Sequence, residues 1–357
     1  MNPEVIMDRT HTLRRRWSRP PAVIAAAGLL LAACTTDGDD PEAEAQQFSS
    51  GDVVRLILGS TPGGGFDTQA RLLQSYLDEA LDEAAGADVR VVVENMPGAG
   101  HRIATEHVYN SPPDGTRMVF SSAQLMVTNE VVRGAEHTMT EMTSLASAGR
   151  SSRGVVVNTE VDWPGSTFAD VVEHSVAEDV LISHPKLDAD IALMQAIMRD
   201  NGRESDLDPV DVGQTAEQVA SLLRGETEAA LTTAGSLKDA VDDNPDELRM
   251  VALLGCERDE LLPDVPTIVD QELPGAEEIC NVAGYDDRVF LGPPDLPEET
   301  TTILRDALET ALTNEEYLEQ AAEARLVDEW ISGDEVETLI SEMVDTYDRY
   351  KDQLPDE

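Results

Sequence analysis

Two glycine-rich turns carry the residue types best suited to chemistry. Ser60-Thr61-Pro62-Gly63-Gly64-Gly65-Phe66 and Met96-Pro97-Gly98-Ala99-Gly100-His101 each follow an apolar run of strand length and precede a helical pattern. Glycine lets the backbone approach a ligand, the first amides of a helix have no partner inside it, and the helix dipole favours negative charge there. Two such turns side by side make a pincer of N–H donors for one carboxylate. Thr61, Gly63, Gly64, Gly65 and Phe66 in the first, with Gly98, Ala99, Gly100 and His101 in the second, are therefore candidate ligand contacts. Glycine-rich turns also serve merely to punctuate βα units, and that reading stays open for either turn alone.

Catalytic signatures are weak by comparison. The run Gly98-Ala-Gly100-His-Arg-Ile-Ala104 imitates a dinucleotide fingerprint, but its spacing is GxGxxxA and no acidic residue closes a second strand about 20 residues on. A Walker loop, a GxSxG elbow, a CxxC pair and an HExxH pair are all missing from the sequence. The six histidines, His11, His101, His107, His137, His174 and His184, read mostly as surface residues. Acidic pairs such as Asp286-Asp287 are so common that a carboxylate dyad could not be told from solvated faces. The expectation is a binding protein, with no catalytic group, cofactor or metal.

The elements that position the turns alternate in type. Val53 to Leu58 is an apolar run stopped by Gly59, and from Phe66 the positions Phe66, Ala70, Leu73, Leu77, Ala80 and Ala84 line one face of a helix, with Asp67 in its first turn. Val89 to Val93 predicts a second strand and His101 to Val108 a short helix. Arg117 to Phe120 predicts a third strand, launched from Pro112-Pro113-Asp114-Gly115. Further strands are predicted at 155–157, 229–231 and 248–254, a helix from Thr215 to Gly225, and long helices over 297–324 and 334–354. The second of these places Val336, Leu339, Ile340, Met343 and Tyr347 on one side. Strands alternating with helices imply a mainly parallel sheet covered on both faces, whose carboxyl rim is where ligands bind.

Length and charge set the frame. A chain of 357 residues is long for one domain, and 71 acidic against 25 basic residues give a formal charge of -46. Nucleic acid is excluded as a partner, since a polyanion would be repelled, and anionic headgroups are equally poor docking surfaces. Only Lys186, Lys238 and Lys351 are lysines. A pincer of amides survives this charge because its donors act within a few ångströms, whereas surface carboxylates beyond about 8 Å are screened.

Residues 1–33 read as an export signal: Arg9, Arg14, Arg15, Arg16 and Arg19 precede the apolar run Ala22 to Leu31, which is too short to span a bilayer. The stretch Leu31-Ala32-Ala33-Cys34 resembles a bacterial lipobox, which implies lipid on Cys34 and an outer-face anchor. Residues 34–50 form an acidic tether without apolar period. Arginines before the apolar run leave the Sec and twin-arginine routes both open. Outside the cytoplasm Cys256 and Cys280 are more often bonded than free, and pairing them would close a loop of about 25 residues worth roughly 3 kcal/mol.

Several motifs in order carry a family resemblance. Ser60-Thr-Pro-Gly-Gly-Gly-Phe-Asp67-Thr-Gln-Ala-Arg71, Glu94-Asn95-Met-Pro97-Gly-Ala-Gly100, Pro113-Asp114-Gly115-Thr116, Leu262-Pro263-Asp264-Val265-Pro266-Thr267, Leu273-Pro274-Gly275 and Gly292-Pro293-Pro294 together resemble the substrate-binding subunits of tripartite tricarboxylate transporters, the Bug family, over roughly residues 51–350. The resemblance implies an α/β fold of the type II periplasmic-binding-protein kind, with two doubly wound lobes joined by crossing strands. Residues 51–148 plus 255–357 would form lobe 1 and 149–254 lobe 2, closing on a hinge. It implies a small di- or tricarboxylate held mainly by main-chain amides of the two turns, with Ser121, Ser122 and Ser183 facing the cleft and Asp67 and Arg71 ordering the first helix. It also implies membrane permease subunits as partners. Two positions depart from the pattern: His101 and Ala104 stand for glycines, and Ser183-His184-Pro185-Lys186 replaces a glycine-rich strand end in lobe 2. His101 would narrow the pocket or offer a donor that titrates near neutral pH. A receptor-like or scaffold lipoprotein with the same fold is the alternative, and an exported hydrolase a distant third.

Overall fold

The computed structural model describes residues 48–355, except 186–188, 214, 325, 327 and 328. The export signal, Cys34, all but the last three residues of the tether, and Lys186 therefore lie outside the described residues. The elements run β1 (Val53–Leu58), α1 (Gly65–Ala85), β2 (Arg90–Asn95), α2 (Arg102–Tyr109), β3 (Arg117–Ser122), α3 (Ala123–Val131), β4 (Thr143–Asn158), α4 (Phe168–Ser175), β5 (Val180–His184), α5 (Asp190–Asp200), β6 (Leu207–Asp211), α6 (Thr215–Leu223), β7 (Ala229–Thr233), α7 (Ala234–Asp243), β8 (Leu248–Leu253), α8 (Ala276–Val282), β9 (Tyr285–Gly292), α9 (Glu298–Leu312), α10 (Glu315–Glu323), β10 (Ile331–Ser332) and α11 (Gly333–Tyr350).

Strand order is β2-β1-β3-β9-β4-β7-β5-β6, with β8 and β10 also bonded to β4. β1 is parallel to β2 and β3, and β5 is parallel to β6 and β7. Every pairing on β4 and β9 is antiparallel. The expectation of a mainly parallel sheet is corrected to a mixed one. Its parallel parts come from βα units, while β4 and β9 cross between them and run against their neighbours. Along Thr143–Ser152 strand β4 bonds β9, and from Arg153 on it bonds β7 and β8.

Alternation within the strands builds the two largest cores. Leu56, Leu58 and Phe120 point into a cluster with Leu73, Leu77, Phe290 and Tyr317, while Ile57 and Val119 join Val155, Ile182, Leu231, Ile340 and Tyr347 on the other side. Each such fully buried side chain contributes roughly 1.5–3 kcal/mol. Helix α1 presents Ala70, Leu73, Leu77 and Ala80 to the first cluster, with Phe66 and Ala84 partly buried at its edge.

Two element predictions are corrected. The long helix over 297–324 is two, because the Asn314 side chain accepts from the amides of Glu316 and Tyr317 and starts α10 afresh. The strand at 155–157 is only the tail of the 16-residue β4, whose earlier part is rich in Ser, Gly and Arg. Strand β9, unread in the sequence, begins Tyr-Asp-Asp-Arg before its apolar half. Cys256, beyond β8, and Cys280, in α8, are joined by a disulfide.

Candidate functional site

The parallel register sets Leu58 beside Asn95 and beside Phe120, so the turns after β1, β2 and β3 open at one edge of the sheet. In the first turn Gly63 takes a left-handed φ of 84° and Gly64 is the N-cap of α1, with no side-chain hydrogen bond capping the helix. Thr61, Gly63 and Gly65 are exposed. The 21-residue helix thus begins with its Gly65 and Phe66 amides open to the edge.

Asp67 braces this turn. Its carboxylate accepts from Gly63 N (2.8 Å) and Arg71 Nε (3.0 Å). Arg71 Nη2 donates onward to Asn95 Oδ1 (3.0 Å), and Asn95 Nδ2 donates to the Ser60 carbonyl (3.1 Å). The chain of bonds ties the first turn to the end of β2. The Arg71 guanidinium first, and the Gly63 amide after it, hold the Asp67 carboxyl at about 2 against the opposing effect of burial.

The second turn runs through four successive residues of positive φ: Gly98 (142°), Ala99 (47°), Gly100 (57°) and His101 (69°). A side chain is uncommon in that region, and His is among the residues that tolerate it. Asn129 Nδ2 holds the Gly100 carbonyl at 2.6 Å, and the Thr105 hydroxyl donates to the His101 carbonyl at 3.1 Å. The imidazole lies over Gly59, where a Cβ would stand 2.4 Å from that of His101, and its edge meets Phe66 at 5.3 Å between ring centroids. Burial holds the imidazole below its ordinary value, opposed by the charge of Asp286. The expectation of a titration near neutral pH therefore shifts to the acid side, and His101 is neutral at pH 7.

His101 Nδ1 and Ser121 Oγ are 2.6 Å apart. Ser121 is fully buried, with its hydroxyl against the imidazole. Ser122 caps α3, accepting from Leu125 N at 3.5 Å. Ser183, on β5, is also fully buried, with its hydroxyl donating to the Ala229 carbonyl at 3.2 Å, away from this cluster. His184 Nε2 next to it lies 3.2 Å from Asp211 on β6.

Strand β9 adds what the sequence reading missed. Asp287, read as a solvated acid, is fully buried; it pairs with Arg150 (3.0 Å) and accepts from Gln124 Nε2 (2.7 Å). Arg288 sits opposite Ser122 in the register; its Nη1 donates to Gln69 Oε1 (2.6 Å), and its guanidinium carbon is 4.9 Å from the Phe66 ring centroid. Its only sequence signal is a basic residue next to Val-Phe-Leu, which has no meaning until β9 is placed. The histidine expectation is corrected too: His137 and His184 are buried, His101 and His174 half-buried, and only His107 of the described ones exposed. No group of three His, Cys, Asp or Glu among the described residues could hold a metal ion.

Helix amides without a capping side chain, left-handed glycines and a basic group thus lie together at one sheet edge. The family model described as the tripartite tricarboxylate transporter family receptor, TctC, matches residues 74–352, and the chain belongs to that family. The match begins inside α1, so the first turn lies ahead of it. A UPF0065 protein of Bordetella bronchiseptica is 31% identical over 102 residues, which cover 29% of this chain and 28% of that protein. Another, of Agrobacterium vitis, is 24% identical over 283 residues, covering 78% of this chain and 77% of the relative. The fold is shared with a TctC solute-binding protein from Polaromonas (TM-score 0.68, 17% identity, covering 85% of this chain and 99% of that one). It is also shared with malate-bound MatC of Rhodopseudomonas palustris (TM-score 0.63, 18% identity, 85% and 98%) and an R. palustris protein with adipate (TM-score 0.62, 19% identity, 85% and 97%).

Proposed function

We propose that this protein is an extracytoplasmic solute-binding protein that captures a small di- or tricarboxylate and delivers it to membrane permease subunits of a tripartite tricarboxylate transporter. The observation that carries the reading is the Asp67–Arg71–Asn95–Ser60 chain, which locks two glycine turns side by side while the helix amides of Gly65 and Phe66 stay open. Preorganised N–H donors of this kind stabilise a carboxylate without cofactor or covalent step. Malate and adipate in two proteins of the same fold support the ligand class. In this reading lipid on Cys34 anchors the chain at the outer face of the membrane. Among the described residues no helix is long and apolar enough to cross it.

The two lobes, 51–148 plus 255–357 and 149–254, close over the acid in the same reading. Support comes from β4, which leaves β9 for β7 and β8 at Ser152–Arg153, and from the end of β7, where Thr233 meets Arg153. Gly64→Val tests the pincer: a Cβ at Gly64 would meet only the Thr61 carbonyl, at an ordinary 3.4 Å, so the fold survives and the open amides are covered. Titration calorimetry with the acid bound by the wild type is expected to show its affinity lost in Gly64→Val at an unchanged melting temperature. Unimpaired binding would refute the pincer.

A further inference from the structure

Three arginines gather where the strands cross: Arg150 and Arg153 on β4 and Arg288 on β9. Arg150 lies 3.0 Å from buried Asp287, and Arg153 pairs with Asp190, which also accepts from Tyr347 Oη at 2.7 Å. Arg288 differs. In a chain with 71 acidic residues, no carboxylate among the described residues lies within ion-pair distance of it. Asp286, its neighbour in sequence, acts on it and on His101 only through the field.

A half-buried guanidinium whose Nε is shut off from water, with no ion-pair partner among the described residues, calls for an explanation. One side of Arg288 is accounted for: Nη1 donates to Gln69 Oε1, and the cation lies over Phe66. The other side is not. Nε is buried with no hydrogen-bond partner, and Nη2 stands 3.4 Å from where a Cβ of Gly65 would lie. Gly65 is exposed and opens α1, so Nη2 lies beside the first residue of that helix. The Nε and Nη2 donors together form the planar fork that fits a carboxylate side-on.

We propose that Arg288 is the charged anchor of the ligand site, its Nε–Nη2 edge and the Gly65 and Phe66 amides converging on one carboxylate of the bound acid. The inference rests on the carboxylate-binding reading and sharpens it. The acid is held by formal charge as well as by main-chain dipoles, and its ionised group is obligatory. A Cβ at Gly65 would make only ordinary contact with Nη2, at 3.4 Å, and Phe66 and Gln69 fix the plane of the fork. Arg288 thereby also supplies the positive potential at a site on a strongly negative molecule.

The test uses the intact protein, calorimetric titration and a panel of malate, adipate, succinate and citrate. Arg288→Met keeps most of the aliphatic stem and removes the charge; Arg288→Lys keeps the charge and removes the fork. Expected is binding of at least one acid by the wild type, a loss of about 30-fold or more in Arg288→Met, and a smaller loss in Arg288→Lys. Without ligand, Arg288→Met is expected to melt no lower than wild type, because it deletes a half-buried charge that has no ion-pair partner among the described residues. Wild-type affinity retained in Arg288→Met overturns the anchor while leaving the carboxylate reading intact. A lower ligand-free melting temperature in Arg288→Met, with the affinity lost, makes the residue a structural support and also overturns it. A wild type that binds no acid of the panel refutes the reading and the anchor together.

Discussion

Asp67 shows how much a single residue can reveal in sequence and what only the structure adds. Its place in the first turn of a helix, four residues before Arg71, was legible from spacing alone. That the pair reaches Asn95 and Ser60 was not, because it depends on the register of β2 against β1. With its folded value near 2 against 3.8, the group stabilises the protein above about pH 4, and the contribution is lost as pH falls through 2. Urea midpoints of wild type and Asp67→Asn should therefore differ most at pH 5–7 and converge toward pH 2; a gap independent of pH would remove the carboxylate from the account. His101 has the same sign on acidification. Burial lowers its folded value below 6.5, so the unfolded chain takes up the proton first and stability declines as pH drops below about 6.5. His101→Gln should flatten the wild-type slope between pH 7.5 and 5.5, with the remainder carried by His137, which burial shifts the same way. The sequence marked His101 as an oddity among glycines, and the left-handed backbone explains why glycine suits the position. Arg288 was illegible, because a lone arginine in an unread strand has no neighbours to interpret it.

Elements with a strong period were readable and crossing strands were not. Helix α1 and strands β1 to β3 follow apolar runs and glycine stops, and α11 buries Val336, Ile340, Met343 and Tyr347 as its pattern requires. β4 and β9 carry Ser, Gly, Asp and Arg because their middles face ion pairs at the crossing, Arg150 with Asp287 above all, and alternation disappears there. The α9–α10 break depends on one side chain. Asn314→Ala should cost about 1 kcal/mol in urea unfolding by leaving the Glu316 and Tyr317 amides uncapped; no loss would mean that the break is set by packing. The two glycine turns also differ as test sites. Gly98 has a φ of 142° and a Cβ there would fall 2.5 Å from Ile103 Cδ1, so Gly98→Val distorts its own turn, whereas Gly64→Val leaves the backbone at rest.

At the scale of the whole molecule, the proposed capture of an anion works against a formal charge of -46, whose distant carboxylates salt screens beyond about 8 Å. Self-repulsion among surface carboxylates destabilises the compact state, so the melting temperature should rise as salt increases from low to physiological strength and beyond; a fall would contradict this. The bond between Cys256 and Cys280 closes the segment from β8 through α8, and its reduction should lower stability by about 3 kcal/mol in urea unfolding. In the proposed reading β4, which bonds β9 along one half and β7 and β8 along the other, is the hinge through which closure would exclude water from the acid. Whether the protein binds a carboxylate at all is decided by titrating the wild type with malate, adipate, succinate and citrate, read by heat and by melting temperature. Saturable one-to-one binding of at least one acid is expected, with a stabilisation of about 2.7 kcal/mol at 100 times its dissociation constant. A cooperatively melting protein that shows neither heat nor shift with any of them would contradict it.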